Sequence, residues 1–193
     1  MATLVAMEVQ NPSMVSDEAL VARLRSGQAS AGQELVQRHS RGLLRYLQRL
    51  IGNDELAEEL HQQTWLSVLD HLDRFDPTAS GGGFKAWVYR IATNKANDYW
   101  RFRSRERTAK DGLRLVSEQE GPDASASLQV SEQAEKLRAA IRRLPENQRQ
   151  VLLLRYYSGL KFVEIAQTLG CPLNTALGRM HKAMLKLKQL LEE

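Results

Sequence analysis

Two stretches of this chain carry side chains suited to a polyanion. In the first, Arg90, Asn94, Asn97 and Arg101 recur at helical spacing and share one face. Trp87, Tyr89, Tyr99 and Trp100 lie to either side. Cations track a phosphate backbone, and amides and aromatic rings bond to or stack on unpaired bases. The chemistry on offer is capture of single-stranded DNA. The plainer alternative is that Trp87, Val88, Ile91 and Tyr99 are core and the arginines are solvated.

The second stretch is near the C-terminus. A short helix over 160–169 turns Ile165, Ala166 and Leu169 inward, and the small Ala166 allows a close helix crossing. Gly170 turns the chain, and Pro172 suits the first turn of a helix over 172–191. Leu173, Ala176, Met180 and Leu187 can pack inward. Asn174, Thr175, Leu177, Gly178, Arg179, His181 and Lys182 then face outward. This is a helix-turn-helix whose second helix fits the DNA major groove. Arg and Lys take phosphates or the guanine edge, and Asn reads adenine. A basic hairpin with a solvated face is the alternative.

A third group is acidic. Asp54, Glu55, Glu58 and Glu59 stand with His61, Gln62 and Gln63. His61 and His71 fall on different faces, which argues against a metal or acid–base site. An acidic face for a basic protein partner and a solvated face are the two readings left. No phosphate loop, dinucleotide fingerprint, nucleophile elbow or zinc pattern is present. No catalytic residue, metal or cofactor is expected, and the chain is read as a non-enzyme.

Helices must position all three groups. Ser16 is a plausible N-cap for a helix bearing Leu20, Val21 and Leu24, which Gly27 stops. A helix over 31–50 points Leu35, Val36, Leu43, Leu44, Leu47 and Leu50 inward, and Gly52-Asn53 ends it. The acidic helix starts at Asn53 or Asp54, buries Leu56, Leu60, Trp65, Val68, Leu69 and Leu72, and ends near Phe75. The stretch 76–83 is a loop on composition, and the fourth helix runs over 84–105. Periodicity fades over 105–131 and returns at Glu132.

The expected fold is all-α, two small helical domains joined by a flexible linker. The expected bounds are a loose tail over 1–15, a first domain over 16–106, a linker over 107–130 and a helix-turn-helix domain over 131–193. At 193 residues and 42% hydrophobic content, each half can build a core. Net charge is +4, but acid and base are sorted into blocks: 54–76 is acidic and 95–110 basic. The single Cys171 excludes an internal disulfide and is read as a small buried residue at the turn. No signal peptide or membrane-length apolar run is seen, so a cytoplasmic protein is expected.

The chain resembles the extracytoplasmic-function sigma factors of bacterial RNA polymerase over about 16–191. Three segments carry the likeness: Asp-Glu-Leu-Ala-Glu-Glu-Leu-His-Gln-Gln-Thr-Trp at 54–65, Phe-Lys-Ala-Trp-Val-Tyr-Arg-Ile-Ala-Thr-Asn-Lys-Ala-Asn-Asp-Tyr-Trp-Arg at 84–101, and the stretch from Leu144-Pro145-Glu146 to Ala183. The resemblance implies that Asp54, Glu55, Glu58, Glu59, Gln62, Gln63 and Trp65 dock on the clamp helices of the largest polymerase subunit. It implies that the loop 76–83 and the helix start, with Phe84 and Trp87, capture a flipped base. Arg90, Asn94, Asn97 and Arg101 would hold the melted minus-10 strand. The C-terminal domain would read the minus-35 duplex beside the polymerase flap. An anti-sigma factor is an expected further partner. Leu177 and Gly178 depart from the family, which usually has a basic residue and a serine there.

The implied function is promoter recognition by core polymerase, with help in promoter melting. Two rivals remain on sequence alone. One is a two-domain helix-turn-helix regulator acting on duplex operators without polymerase. The other is a helical adaptor that binds only protein.

Overall fold

Several helix ends fall where local chemistry supplies a stop or a cap. The computed structural model describes residues 15–78, 82–111 and 132–192. The expected tail and linker lie largely outside these residues, as does the centre of the loop 76–83. Helix α1 (Asp17–Arg25) is capped by Ser16, whose hydroxyl accepts from the Ala19 N–H at 3.2 Å. Helix α2 (Ala29–Ile51) ends at Gly52, whose φ of 78° is the left-handed conformation glycine tolerates best. Asn53 then caps α3 (Asp54–Asp70) by accepting from the Leu56 N–H at 2.8 Å. Two acids in its first turn complement the helix dipole.

Helix α3 stops before the expected Phe75, and a single 3-10 turn (Leu72–Arg74) carries the chain onward. Arg25 fixes that turn by donating to the carbonyls of Leu72 and Phe75, each at 2.6 Å. Helix α4 (Gly83–Asp111) runs past the expected end at 105. It packs against α1, α2 and α3.

The centre of this half is Tyr46, fully buried. Its hydroxyl lies 2.8 Å from Thr93 Oγ1, which itself donates to the Tyr89 carbonyl at 2.7 Å. Tyr46 therefore donates to Thr93, and its buried O–H is satisfied. Phe75, Phe84 and Trp87 form an aromatic cluster with ring centroids 5.3–5.9 Å apart. Burying each such side chain contributes about 1.5–3 kcal/mol.

The C-terminal half contains α5 (Glu132–Arg142), α6 (Glu146–Leu153), a π-helical turn (Leu154–Ser158), α7 (Phe162–Thr168) and α8 (Leu173–Glu192). Among the described residues there is no strand. Gly170, at φ 59°, makes the turn between α7 and α8. The Pro172 carbonyl accepts from Thr175 and Ala176, so Pro172 precedes the helix rather than lying in it.

The two halves are packed together. Val151, Leu153, Leu154, Leu160, Ile165, Ala166 and Ala176 join the same buried cluster as Tyr46, Phe84 and Trp87. A separate small cluster of Ala140, Leu144, Leu152, Ala183, Leu187 and Leu190 holds α5 and α6 to α8. The C-terminal half thus has one side on its own small core and the other on α2 and α4.

Candidate nucleic-acid interface

Helix α8 presents its expected reading face outward. Asn174, Thr175, Leu177, Gly178, His181 and Lys182 are exposed, and Arg179 is half-buried. Ala176 and Ala183 are fully buried beneath them, so the helix rests on small side chains and sits close to its support. Leu173 is a correction: it is exposed, because it opens the helix beyond the reach of either core. Cys171 is half-buried and reduced, with its N–H bonded to the Ala166 carbonyl at 2.9 Å.

Helix α4 is more divided. Asn94 and Arg101 are exposed, and Arg90 and Asn97 are half-buried. Arg101 pairs with Asp98 at 3.0 Å on the exposed surface, a contact of little energetic weight. Phe84 and Trp87 face the interior. They are 1% and 8% exposed and belong to the aromatic core, so neither is a surface for a base in this structure. The cause is tertiary: packing from α1, α3 and α7 covers the start of α4 as well as its α2 side. Tyr89 is also buried, while Tyr99 and Trp100 are half-buried.

Part of the α4 stripe is in contact with the C-terminal half. Gln150, on α6, donates from Nε2 to Asn97 Oδ1 at 2.6 Å and to Glu146 Oε1 at 3.1 Å. The Arg149 guanidinium lies 5.8 Å from the centroid of the Trp100 ring, in cation–π range. Burial lowers the Arg149 pKa, and it raises that of Glu146 despite the nearby Arg149 and Arg101.

On α3, Asp54, Glu55, Glu58, Glu59 and Gln62 are exposed and Gln63 is half-buried. Trp65 goes inward with the apolar stripe of α3. It is 8% exposed, and its indole N–H donates to His61 Nε2 at 3.1 Å. Ser40 Oγ lies 2.8 Å from the same nitrogen. Burial lowers the His61 pKa, which suits a neutral ring whose Nε2 accepts these hydrogen bonds. Leu69, expected inside, is 50% exposed, and Leu66 is 62% exposed. With Phe102 of α4, they extend the acidic face into a mixed apolar and charged surface of the kind protein partners cover. Sequence reading missed Leu66 and Phe102. Both sit in helical patterns that also supply core residues, and only the packing shows which way they turn.

A second apolar surface was also missed. Leu137, Tyr156, Tyr157, Met184 and Leu191 line a groove between α5, the π-helical turn and α8. The π-helical turn widens the backbone there and leaves Tyr156 66% exposed.

These surfaces occur in the order in which a known family carries them. Residues 35–106 match the Sigma-70 region 2 family and residues 134–187 the Sigma-70, region 4 family. The chain is 34% identical to the ECF RNA polymerase sigma factor EcfG of Rhodopseudomonas palustris, over 74% of this chain and 75% of that protein. It is 30% identical to the RNA polymerase sigma factor NccH of Alcaligenes xylosoxydans xylosoxydans, over 91% and 95% of the two chains. Its fold is similar to CnrH solved with the cytosolic domain of CnrY: TM-score 0.66, 28% identity, covering 91% of this chain and 97% of that one. It is also similar to RpoE from Bartonella quintana solved with the anti-sigma factor NepR: TM-score 0.66, 26% identity, covering 83% and 96%. An acidic helix, a polar-aromatic helix and a helix-turn-helix, matched across both family regions, place the chain among the extracytoplasmic-function sigma factors, the subunits that direct bacterial RNA polymerase to promoters.

Proposed function

We propose that promoter recognition is divided between α8 and α4, and that the protein performs no chemistry of its own. The outward face of α8 reads the minus-35 duplex through Asn174, Thr175, Arg179, His181 and Lys182, with Leu177 and Gly178 between them. Arg90, Asn94, Asn97 and Arg101 of α4 hold the melted minus-10 strand. Phe84 and Trp87 support that helix from beneath. The observation that carries the reading is the exposed polar face of α8, backed by buried Ala176 and Ala183. Affinity for duplex and strand adds through the covalent tether, so neither half has to bind tightly alone.

Polymerase docks on the exposed acids of α3, helped by Leu66, Leu69 and Phe102. The groove lined by Tyr156 and Met184 lies against the polymerase flap. Two similar folds were solved with an anti-sigma factor or a partner's cytosolic domain, and a partner of that kind is the proposed inhibitor. No helix among the described residues is long and apolar enough to cross a membrane, in keeping with a cytoplasmic site of action.

In-vitro transcription with purified core polymerase on a promoter library tests this. The expected result is a set of specific starts that depend on added protein. Duplex binding without any polymerase-dependent start would instead establish a free-standing regulator.

A further inference from the structure

We propose that α1 is a splint for the start of α4: Arg25 and Glu18 hold the chain at the two ends of the stretch 76–83, and so position the first turn of α4 for reading the melted strand. This rests on the reading of α4 as the strand-binding helix. Both are positioning residues, since each acts through the backbone it holds.

Glu18 and Arg25 stand seven residues apart in α1, so they share one face. That spacing spans about 10 Å along the helix axis. At one end, Arg25 Nη2 donates to the carbonyls of Leu72 and Phe75, each at 2.6 Å. A cationic donor suits carbonyls at the close of a helical segment. At the other end, the Glu18 carboxylate lies against Gly83, the first residue of α4. A Cβ built on Gly83 would be 2.8 Å from Glu18 Oε1. Helix α4 has no acid in its own first turn, and an anion is favoured at a helix N-terminus. One face of α1 therefore offers a cation to the incoming end and an anion to the outgoing end.

The two ends are also held to each other. Phe75 and Phe84, which flank the stretch, meet edge to face with centroids 5.6 Å apart. The His39 ring lies 5.8 Å from Phe84, and its Nε2 is 2.6 Å from Asp17 of α1. Gly83 has φ 63°, where any side chain would be strained and would also collide with Glu18. Gly81, Gly82 and Gly83 supply no side chain to fix this stem from within. Its alignment falls to a neighbour, and α1 is the neighbour that touches both ends.

The consequence is local. The polar stripe of α4 begins at Arg90, seven residues beyond Gly83. A base met at the first turn is therefore distinct from those met by Asn94 to Arg101. Play in the stem blurs discrimination at that end and leaves the stripe in register. A misplacement of about 1 Å can cost on the order of a hundredfold in a positioned reaction, so small play is enough.

The test uses the full chain with core polymerase and a promoter library in which each minus-10 position carries each of the four bases. Transcription from each template gives a base preference at every position. Arg25→Ala is expected to flatten the preference roughly tenfold at one end of the element and leave the other positions unchanged. Arg25→Lys should restore most of it, because an ammonium can donate to both carbonyls as the one Arg25 nitrogen does. Glu18→Gln should flatten the same position about two- to threefold. It leaves every hydrogen bond named here in place, and it carries the test if Arg25→Ala folds poorly. Asn94→Ala should flatten a different, interior position. A loss spread equally over all positions and bases overturns the splint, because α1 would then only stabilise the fold. Unchanged preference in the α1 variants, with Asn94→Ala flattening its own position, also overturns the splint and leaves α4 as the reader. No change in any variant overturns the assignment of α4 itself.

Discussion

Helices α4 and α8 are the two helices proposed to meet DNA, and the structure treats them oppositely. Helix α8 shows its outward face without obstruction and buries only a thin line of small and aliphatic residues. Helix α4 is buried on several sides near its start, and its stripe is met by α6 at Asn97. A reader of duplex needs a convex helix standing clear of its domain. A reader of unpaired bases needs a surface kept from unselective contact until a strand is melted. The proposed roles match that contrast: α8 is exposed for duplex, and α4 shows only part of its polar stripe.

The most direct way to break that contrast is through charge on α8. Arg179→Ala with Lys182→Ala should weaken duplex binding by about tenfold per residue and lower the salt slope by about two. Asn94→Ala should leave duplex binding by the free chain unchanged. Gel shifts across a salt series check both, and equal losses would erase the distinction.

A second test concerns the platform under α4. Asp17 accepts from Arg38 Nη1 at 3.0 Å and lies 2.6 Å from His39 Nε2, pinning α1 to α2. Burial alone would raise the Asp17 pKa, but the bonds to His39 and Arg38 outweigh it and hold the carboxyl below its usual value. A depressed folded pKa means stability present above the ordinary carboxylate range, near pH 4, and lost as pH falls through the folded value. Asp17→Asn should cost about 1–3 kcal/mol at pH 7 and flatten that acid limb. Urea melts at pH 7 and pH 3 measure it. A variant as acid-sensitive as wild type would remove Asp17 from the platform.

Gly178 gives a smaller effect on the other helix. A Cβ there meets nothing within 4 Å, and its φ is helical. Gly178→Ala should stabilise the C-terminal half by up to about 1 kcal/mol, seen as a higher Tm. Loss of duplex binding in this stabilised variant would show that DNA approaches the backbone at Gly178.

The smallest effect lies at Glu146 of α6. Because burial raises its pKa, with Arg149 and Arg101 opposing, the neutral carboxyl favours the folded state. This raised folded pKa means stability gained as pH falls through the raised value. Glu146→Gln should mimic the neutral form at pH 7 and raise Tm slightly, by about one degree, in thermal melts. A lower Tm would reverse the sign assigned to this group.

Much of this was legible from the sequence because its causes are local. Ser16 and Asn53 cap the helices expected of them, and Gly52 and Gly170 turn the chain where expected. Ile165, Ala166 and Ala176 go inward, and the acids of α3 stay outside. Each depends on residues within one or two helical turns. Periodicity also placed the polar residues of α4 and α8 on common faces.

What sequence left undecided depends on partners far along the chain. Tyr46 is central because Thr93, 47 residues away, satisfies its hydroxyl. Trp65, Phe84 and Trp87 are core because several helices converge on them, while Leu66 and Leu69 are exposed because none does. The Gln150–Asn97 bond joins residues 53 apart. Neither amide announces the other, since an exposed polar stripe and a polar interface have the same composition. The sequence by itself determined the helices, their caps, the turn and the family. Only the tertiary structure decided that the halves share a core and that one covers part of the other's polar face, because that choice rests on shape and burial summed over both halves rather than on any local pattern.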